Sequence, residues 1–181
     1  MSSLSNKPTL NLEQKCQKIR LILSDVDGVL TNGTIIYNNN GVELKNFHVR
    51  DGLGIKLWQQ SGAQFGIITS RSSQIVRMRA AELDITLVRQ SVLHKQNAVE
   101  EILQSLKLSW EHLCFIGDDL PDILPIKHSA FGVAVADANA EVLDAADYVT
   151  TNLGGYGAVR ETIELILKSQ RRWESVVQQY H

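Results

Sequence analysis

Two cysteines, Cys16 and Cys114, are all the thiols that the 181 residues contain, and they lack the close spacing of a zinc or redox pair. Their scarcity excludes a disulfide framework. Both read as reduced packing residues, as expected of a cytoplasmic protein. No sign of charge dominates either: 18 Lys and Arg face 20 Asp and Glu, a formal net charge of −2. That balance provides no basic field for nucleic acid and leaves small anionic substrates open. No apolar run approaches the ~20 residues needed to cross a bilayer, so no membrane partner is expected. Met1 to Gln17 is polar and lacks the apolar core of a secretion signal. It reads as a flexible lead into a short helix over Leu12 to Arg20. Repeats and low-complexity segments are missing too, and the length suits one domain over residues 1–181, able to bury about 70% of its unfolded surface.

What is present starts with Ile22-Leu-Ser-Asp25-Val-Asp27-Gly28-Val-Leu-Thr31. An apolar run delivers two carboxylates to a glycine turn, the pattern of a buried strand ending in a loop. Side chains alternate along a strand, so Asp25 and Asp27 would share one side, several ångströms apart. Such a pair is unfavourable unless a cation or a shared proton relieves it. A hard divalent ion with oxygen ligands, Mg²⁺, would do so and leave a carboxylate able to attack phosphorus. The plainer alternative is a strand-ending turn in which Asp25 caps a backbone amide. Only distant companions can decide between them.

Further along, Thr34 to Tyr37 and Val42 to Phe47, joined by Asn38-Asn-Asn-Gly41, predict a β-hairpin inserted at about residues 32–47. Its unpaired edges call for cover by other subunits. His48 to Gly52 leads into a helix over Leu53 to Ser61, with Asp51 as its N-cap. Strands follow at Gln64 to Thr69, Asp84 to Val88, Leu113 to Ile116, Ala130 to Val135 and Tyr148 to Thr150. Helices are expected at Ser73 to Glu82, Lys95 to Leu106, Ile123 to Lys127, Glu141 to Ala146 and Arg160 to Tyr180. The alternation predicts an α/β chain, a doubly wound, mostly parallel Rossmann-like sheet flanked by helices. Ligands of such a sheet lie beyond the carboxyl ends of its strands. Asp25 and Asp27, then Thr69, Ser70 and Arg71, then Asp118, Asp119 and Asp122 all stand at such ends, with Lys95 opening a helix between the last two. Their convergence is the argument against a mere turn.

Asp25-Val-Asp27-Gly, Thr69 after a strand, Lys95 and Gly117-Asp118-Asp119-x-x-Asp122, in that order, resemble the four motifs of the haloacid dehalogenase-like phosphatases. The match runs from about Ile22 to Thr150. His48-Val-Arg-Asp-Gly52 and Gly154-Gly-Tyr-Gly-Ala-Val-Arg-Glu161 extend it to nearly the whole chain and are similar to a subgroup without a cap domain that acts on keto-deoxy sugar-acid phosphates. The resemblance implies that Asp25 forms an aspartyl phosphate and that Asp27 serves as general acid and base. It implies Mg²⁺ held by the Asp25 carboxylate, the Asp27 backbone carbonyl and Asp118, with Asp119 or Asp122 touching the ion through water or orienting Lys95. Thr69 would bond a phosphoryl oxygen and Lys95 would offset charge. Substrate contacts fall at His48, Val49, Arg50, Asp51 and Gly52, with Lys56, Arg71 and Arg79 available for the sugar-acid carboxylate and phosphate. The family pattern has glycine where Ser70 stands and an acid where His94 stands, which bears on fine substrate preference.

The substrate implied is 3-deoxy-D-manno-octulosonate 8-phosphate, a precursor of bacterial lipopolysaccharide. A homotetramer is implied as well, its hairpins forming a central barrel and neighbouring subunits closing each site. The segment Gly154 to Gly157 reads as a hinge able to swing Tyr156 and the tail at about residues 152–181 across a neighbour. Competing readings are a phosphatase for a nine-carbon keto-deoxy acid 9-phosphate of the sialic acid type and a non-catalytic tetramerisation module related to nucleotide-sugar synthetases. The module predicts loss of Asp25 or Asp27, and both are present. A phosphate-receiving signalling domain would carry its acid on a later strand.

Overall fold

The computed structural model describes residues 11–180, so the expected flexible lead falls largely outside the described residues. The first helix, α1 (Leu12–Cys16), is shorter than expected and feeds β1 (Leu21–Ser24), whose four residues are all buried. A small hairpin follows, β2 (Ile36–Tyr37) and β3 (Glu43–Leu44), then α2 (Val49–Gln60) and β4 (Gln64–Ile68). Next come α3 (Gln74–Glu82), β5 (Leu87–Arg89) and α4 (Lys95–Leu106). The second half runs β6 (Leu113–Gly117), α5 (Ile123–His128), β7 (Phe131–Ala134), α6 (Ala140–Ala145), β8 (Tyr148–Val149), α7 (Ala158–Ser169) and α8 (Trp173–Val177).

Six strands form one sheet in the order β5-β4-β1-β6-β7-β8, and every pairing in it is parallel. The strand that starts the chain is therefore central, which is why Leu21, Ile22 and Leu23 are wholly apolar: a parallel strand covered on both faces has no wet side to alternate towards. From β1 the chain winds outward through β4 and β5, then crosses back to lay β6 on the other side of β1. That reversal opens a crevice between the ends of β1 and β6. Ser24 pairs with Ile116 in register, so Asp25 and Asp118 each leave the sheet within two residues of that pair.

Three expectations about elements change. Helix α2 begins at Val49, with His48 as its N-cap accepting from the Arg50 N–H through Nδ1 at 3.3 Å; the glycines at 52 and 54 lie inside the helix because its packing against neighbouring elements outweighs their low propensity. Strand β5, expected from Asp84, starts at Leu87, since Asp84 takes a left-handed φ of 57° and Ile85 bonds back to the Ala80 carbonyl. The expected long terminal helix is broken at Arg171 (φ 56°), where the Gln170 amide donates to the Cys16 and Ile19 carbonyls and pulls the end of α7 onto the entry to β1.

Candidate active site

Four charged side chains meet in the crevice. Asp25, at the end of β1, accepts from the Val26 N–H through Oδ1 at 2.7 Å and lies 2.7 Å from the Lys95 ammonium through Oδ2. Lys95 is the first residue of α4, and its buried ammonium is 2.6 Å from Asp122 Oδ1. The other oxygen of Asp122 accepts from the N–H groups of Asp118 and Asp119, so this fully buried carboxylate both orients the lysine and fastens the loop after β6. Asp119 turns away and caps the Leu120 N–H at 2.8 Å. The open choice between Asp119 and Asp122 as partner of Lys95 thus falls to Asp122.

Asp118 completes the cluster. One oxygen each from Asp25, Asp118 and Asp122 lie within 4.8 Å of one another, and Asp118 Oδ1 is buried without a hydrogen-bond partner. Burial, then the charges of Asp25 and Asp122, push its carboxyl up to about 8. Burial likewise raises Asp25 to about 6 against the pull of Lys95. Burial also opposes the charge on Lys95, but Asp25 and Asp122 outweigh it and raise the ammonium above its usual range. A group of oxygen donors holding more negative charge than one lysine neutralises, with one donor orphaned, suits a hard divalent cation. The residues fit such an ion. A Cβ on Gly28, whose φ is +96°, would overlap the Asp118 carboxylate, so the glycine allows both the turn and the approach of the two loops.

Thr69 directly follows β4, the strand paired with β1, and is buried, its Oγ1 accepting from the Arg71 N–H at 3.2 Å and keeping its own O–H free to donate. Asp27 is engaged by a second set of charges. Lys45, directly after β3, contacts Asp27 Oδ1, and Arg71 Nε lies 3.6 Å from Asp27 Oδ2. Glu43 links the two cations, 2.6 Å from Arg71 and 3.4 Å from Lys45, and accepts from the Ser73 hydroxyl. Sequence reasoning missed Lys45, Glu43 and Ser73. The one available signal was the alternation Val42-Glu43-Leu44-Lys45, which puts two charges on one side of a hairpin strand.

The remaining expected contacts are not brought to the carboxylates within this chain. Asp51 is not the cap of its own helix: buried in the first turn of α2, it accepts from the Arg160 N–H at 2.7 Å and the Gly157 N–H at 3.2 Å and so caps α7. Lys56 pairs with Asp84 at the amino end of the sheet. Arg79 pairs with Glu82, stacks on Phe47 and lies against Gly52. Val49 is exposed, and Arg50 lines a cleft of about 640 Å³ with Tyr156, Arg160 and Lys168, outside the carboxylate cluster. The glycine hinge is instead pinned: Gly155 N–H donates to the Val29 carbonyl, Gly154 N–H to Asp137, and a Cβ on Gly154 would overlap the Gly28 carbonyl. These glycines permit close approach of the tail to the Asp25 loop rather than swing.

A central parallel sheet whose first strand ends in Asp-x-Asp, with Thr69, Lys95 and the acids after β6 beside it, defines a class. The chain belongs to the haloacid dehalogenase-like hydrolases, whose family model matches residues 84–160. More narrowly, it is 44% identical over 156 residues to the 3-deoxy-D-manno-octulosonate 8-phosphate phosphatase KdsC of Escherichia coli K12, covering 86% of this chain and 83% of that one. The KdsC of Haemophilus influenzae is 39% identical over 88% of each chain. In three dimensions, the 3-deoxy-D-manno-octulosonate 8-phosphate phosphatase of Moraxella catarrhalis, solved with magnesium, phosphate and KDO, superposes with a TM-score of 0.92 at 41% identity, over 93% of this chain and 97% of that one.

Proposed function

We propose that this chain is a Mg²⁺-dependent phosphomonoesterase that converts 3-deoxy-D-manno-octulosonate 8-phosphate to the free sugar acid and phosphate. The observation that carries the reading is the cluster of Asp25, Asp118 and Lys95, with Asp118 Oδ1 buried and unpartnered. The names and bound groups of the relatives supply the substrate and the metal. Asp25, fixed by the Val26 N–H, attacks phosphorus in line and forms an aspartyl phosphate. Asp27 protonates the departing sugar alkoxide and then deprotonates the water that releases phosphate. Thr69 donates to a phosphoryl oxygen, and Lys95, held by Asp122, offsets charge on nucleophile and phosphoryl group. The Asp25 and Asp118 carboxylates and the Asp27 carbonyl would hold Mg²⁺, with Asp119 and Asp122 around them; when bound, the ion neutralises phosphoryl charge. Arg71, closest of the expected substrate cations to Asp27, would take the sugar-acid carboxylate. His48, Val49, Arg50, Asp51, Gly52, Lys56 and Arg79 would shape the rest of that end, directly or through a neighbouring subunit.

The reading places the enzyme in the cytoplasm, upstream of lipopolysaccharide assembly, as a homotetramer. Support for assembly is the hairpin itself, on which Ile35, Tyr37, Val42 and Leu44 are each about half exposed. The deciding experiment is phosphate release from the eight-carbon and nine-carbon sugar-acid phosphates with and without Mg²⁺. Hydrolysis of the eight-carbon ester is expected to be fastest, to vanish with chelator and to fall on the order of 10⁴-fold in Asp25→Asn. Equal rates for mutant and wild type would end the reading. Native mass spectrometry checks the tetramer.

A further inference from the structure

The charge most deeply covered among those the mechanism leaves unused is Lys45. Its side chain is 1% exposed although it follows a two-residue strand of a surface hairpin. A buried ammonium persists only where it is paired, and its partners are specific. It contacts Asp27 Oδ1 and lies 3.4 Å from Glu43, whose carboxylate is fixed from the far side by Arg71 at 2.6 Å and the Ser73 hydroxyl at 2.7 Å. The two oxygens of Asp27 are thereby made unequal. Oδ1 is held, whereas Oδ2 is buried with no hydrogen-bond partner and faces Arg71 Nε at 3.6 Å.

We infer that Lys45 is a positioning residue for the reaction, anchoring Asp27 through Oδ1 so that Oδ2 is the atom that moves the proton. The inference rests on the proposed role of Asp27. In the first displacement the Asp27 Oδ2–H bond breaks as the ester P–O bond breaks, and the departing alkoxide oxygen takes the proton. In the second, Oδ2 takes a proton from water as the water oxygen bonds phosphorus, and the bond between phosphorus and Asp25 breaks with its electron pair returning to the carboxylate. A carboxylate anchored at one oxygen is restrained from rotating the other out of line, which favours the geometry that proton transfer requires. The hairpin, through Glu43, Arg71 and Ser73, therefore sets the orientation of a group on the central loop.

The discriminating measurement is a comparison of leaving groups with the full chain and Mg²⁺. A sugar alkoxide must be protonated to depart, whereas p-nitrophenolate departs without it. In Lys45→Met, kcat on the sugar-acid phosphate should fall about 10²-fold, with a loss on p-nitrophenyl phosphate at least about tenfold smaller. Lys45→Arg, which keeps the charge, should recover part of the sugar-phosphate rate. Glu43→Gln, which frees Lys45 from Arg71 and Ser73, should show the same selectivity with smaller amplitude. Equal losses on both esters, or none on either, overturn the inference. Should Lys45→Met fail to fold by circular dichroism, the ratio of the two rates in Lys45→Arg and Glu43→Gln decides: an unchanged ratio overturns it, a shift against the sugar ester supports it. A wild-type chain inactive on both esters would sink the phosphatase reading and this inference with it, whereas an active wild type with equal losses in the variants sinks only the inference.

Discussion

Asp25 and Asp122 lie 2.7 and 2.6 Å from the Lys95 ammonium, and Asp118 completes the set within 4.8 Å, all at the carboxyl ends of strands or the start of the helix beside them. Asp51, Lys56 and Arg79, on α2 and α3, carry the same kinds of charge, yet each is satisfied by its own scaffold: a helix end, a surface acid, an aromatic ring. The first group is unsatisfied as a set, with excess negative charge and an orphaned oxygen. The second is satisfied one residue at a time. Under the proposed function, frustrated electrostatics at the end of a rigid sheet marks the chemistry, and mere presence of charge near a loop does not.

The difference can be attacked most strongly at Lys95. Lys95→Met leaves Asp25 and Asp122 buried without their common cation, and breaking a buried pair in this way destabilises by about 3–5 kcal/mol. Urea denaturation of the metal-free protein should register it, and a stability unchanged from wild type would erase the distinction between the two groups. Removing metal tests the same cluster by pH. Asp118 and Asp25 have folded-state values near 8 and 6, above the usual 3.8, so between pH 4 and 8 the folded chain binds more protons than the unfolded one. The stability that these two carboxyls contribute in chelator is fully present below pH 4 and should be lost as pH rises towards 8, with Mg²⁺ flattening the slope. Thermal melts across that range, with and without Mg²⁺, measure it.

Smaller effects sharpen the other half. Asp51→Ala removes the cap of α7 and should cost about 0.5–2 kcal/mol while the KM for the sugar-acid phosphate changes little; a KM effect without a stability effect would move Asp51 into the substrate site. Lys56→Ala breaks only a solvent-exposed pair and should shift stability by less than about 0.5 kcal/mol. An equilibrium melt and an initial-rate assay suffice for both.

The strand-end residues were legible because their message is written locally and read globally. Each apolar run ending in acids identifies a strand and its reactive end, and the winding rules of a parallel sheet bring such ends together. The position of α2's start was not legible, since the glycine at 52 speaks for a loop and only packing overrules it. Nor was the break at Arg171, where side-chain bonds from Gln170 to residues near the start of the chain decide the geometry. The pairing of Lys45 with Asp27 joins segments 18 residues apart through a turn whose direction the pattern does not encode. What sequence periodicity carries is burial; which polar partner a half-buried charge finds is set by the third dimension.

The close passage of Gly154 over Gly28 has a consequence for how the chain comes into being. The loop bearing Asp25 is made early in synthesis, but its neighbours on β6, its cover at Gly154 and the α7 end that Asp51 caps are all made much later. Contacts so distant along the chain close slowly. A ribosome-bound fragment ending before residue 113 holds Asp25 and Asp27 without Asp118. The carboxylate cluster can therefore assemble only after β6 and the loop that follows it have been made.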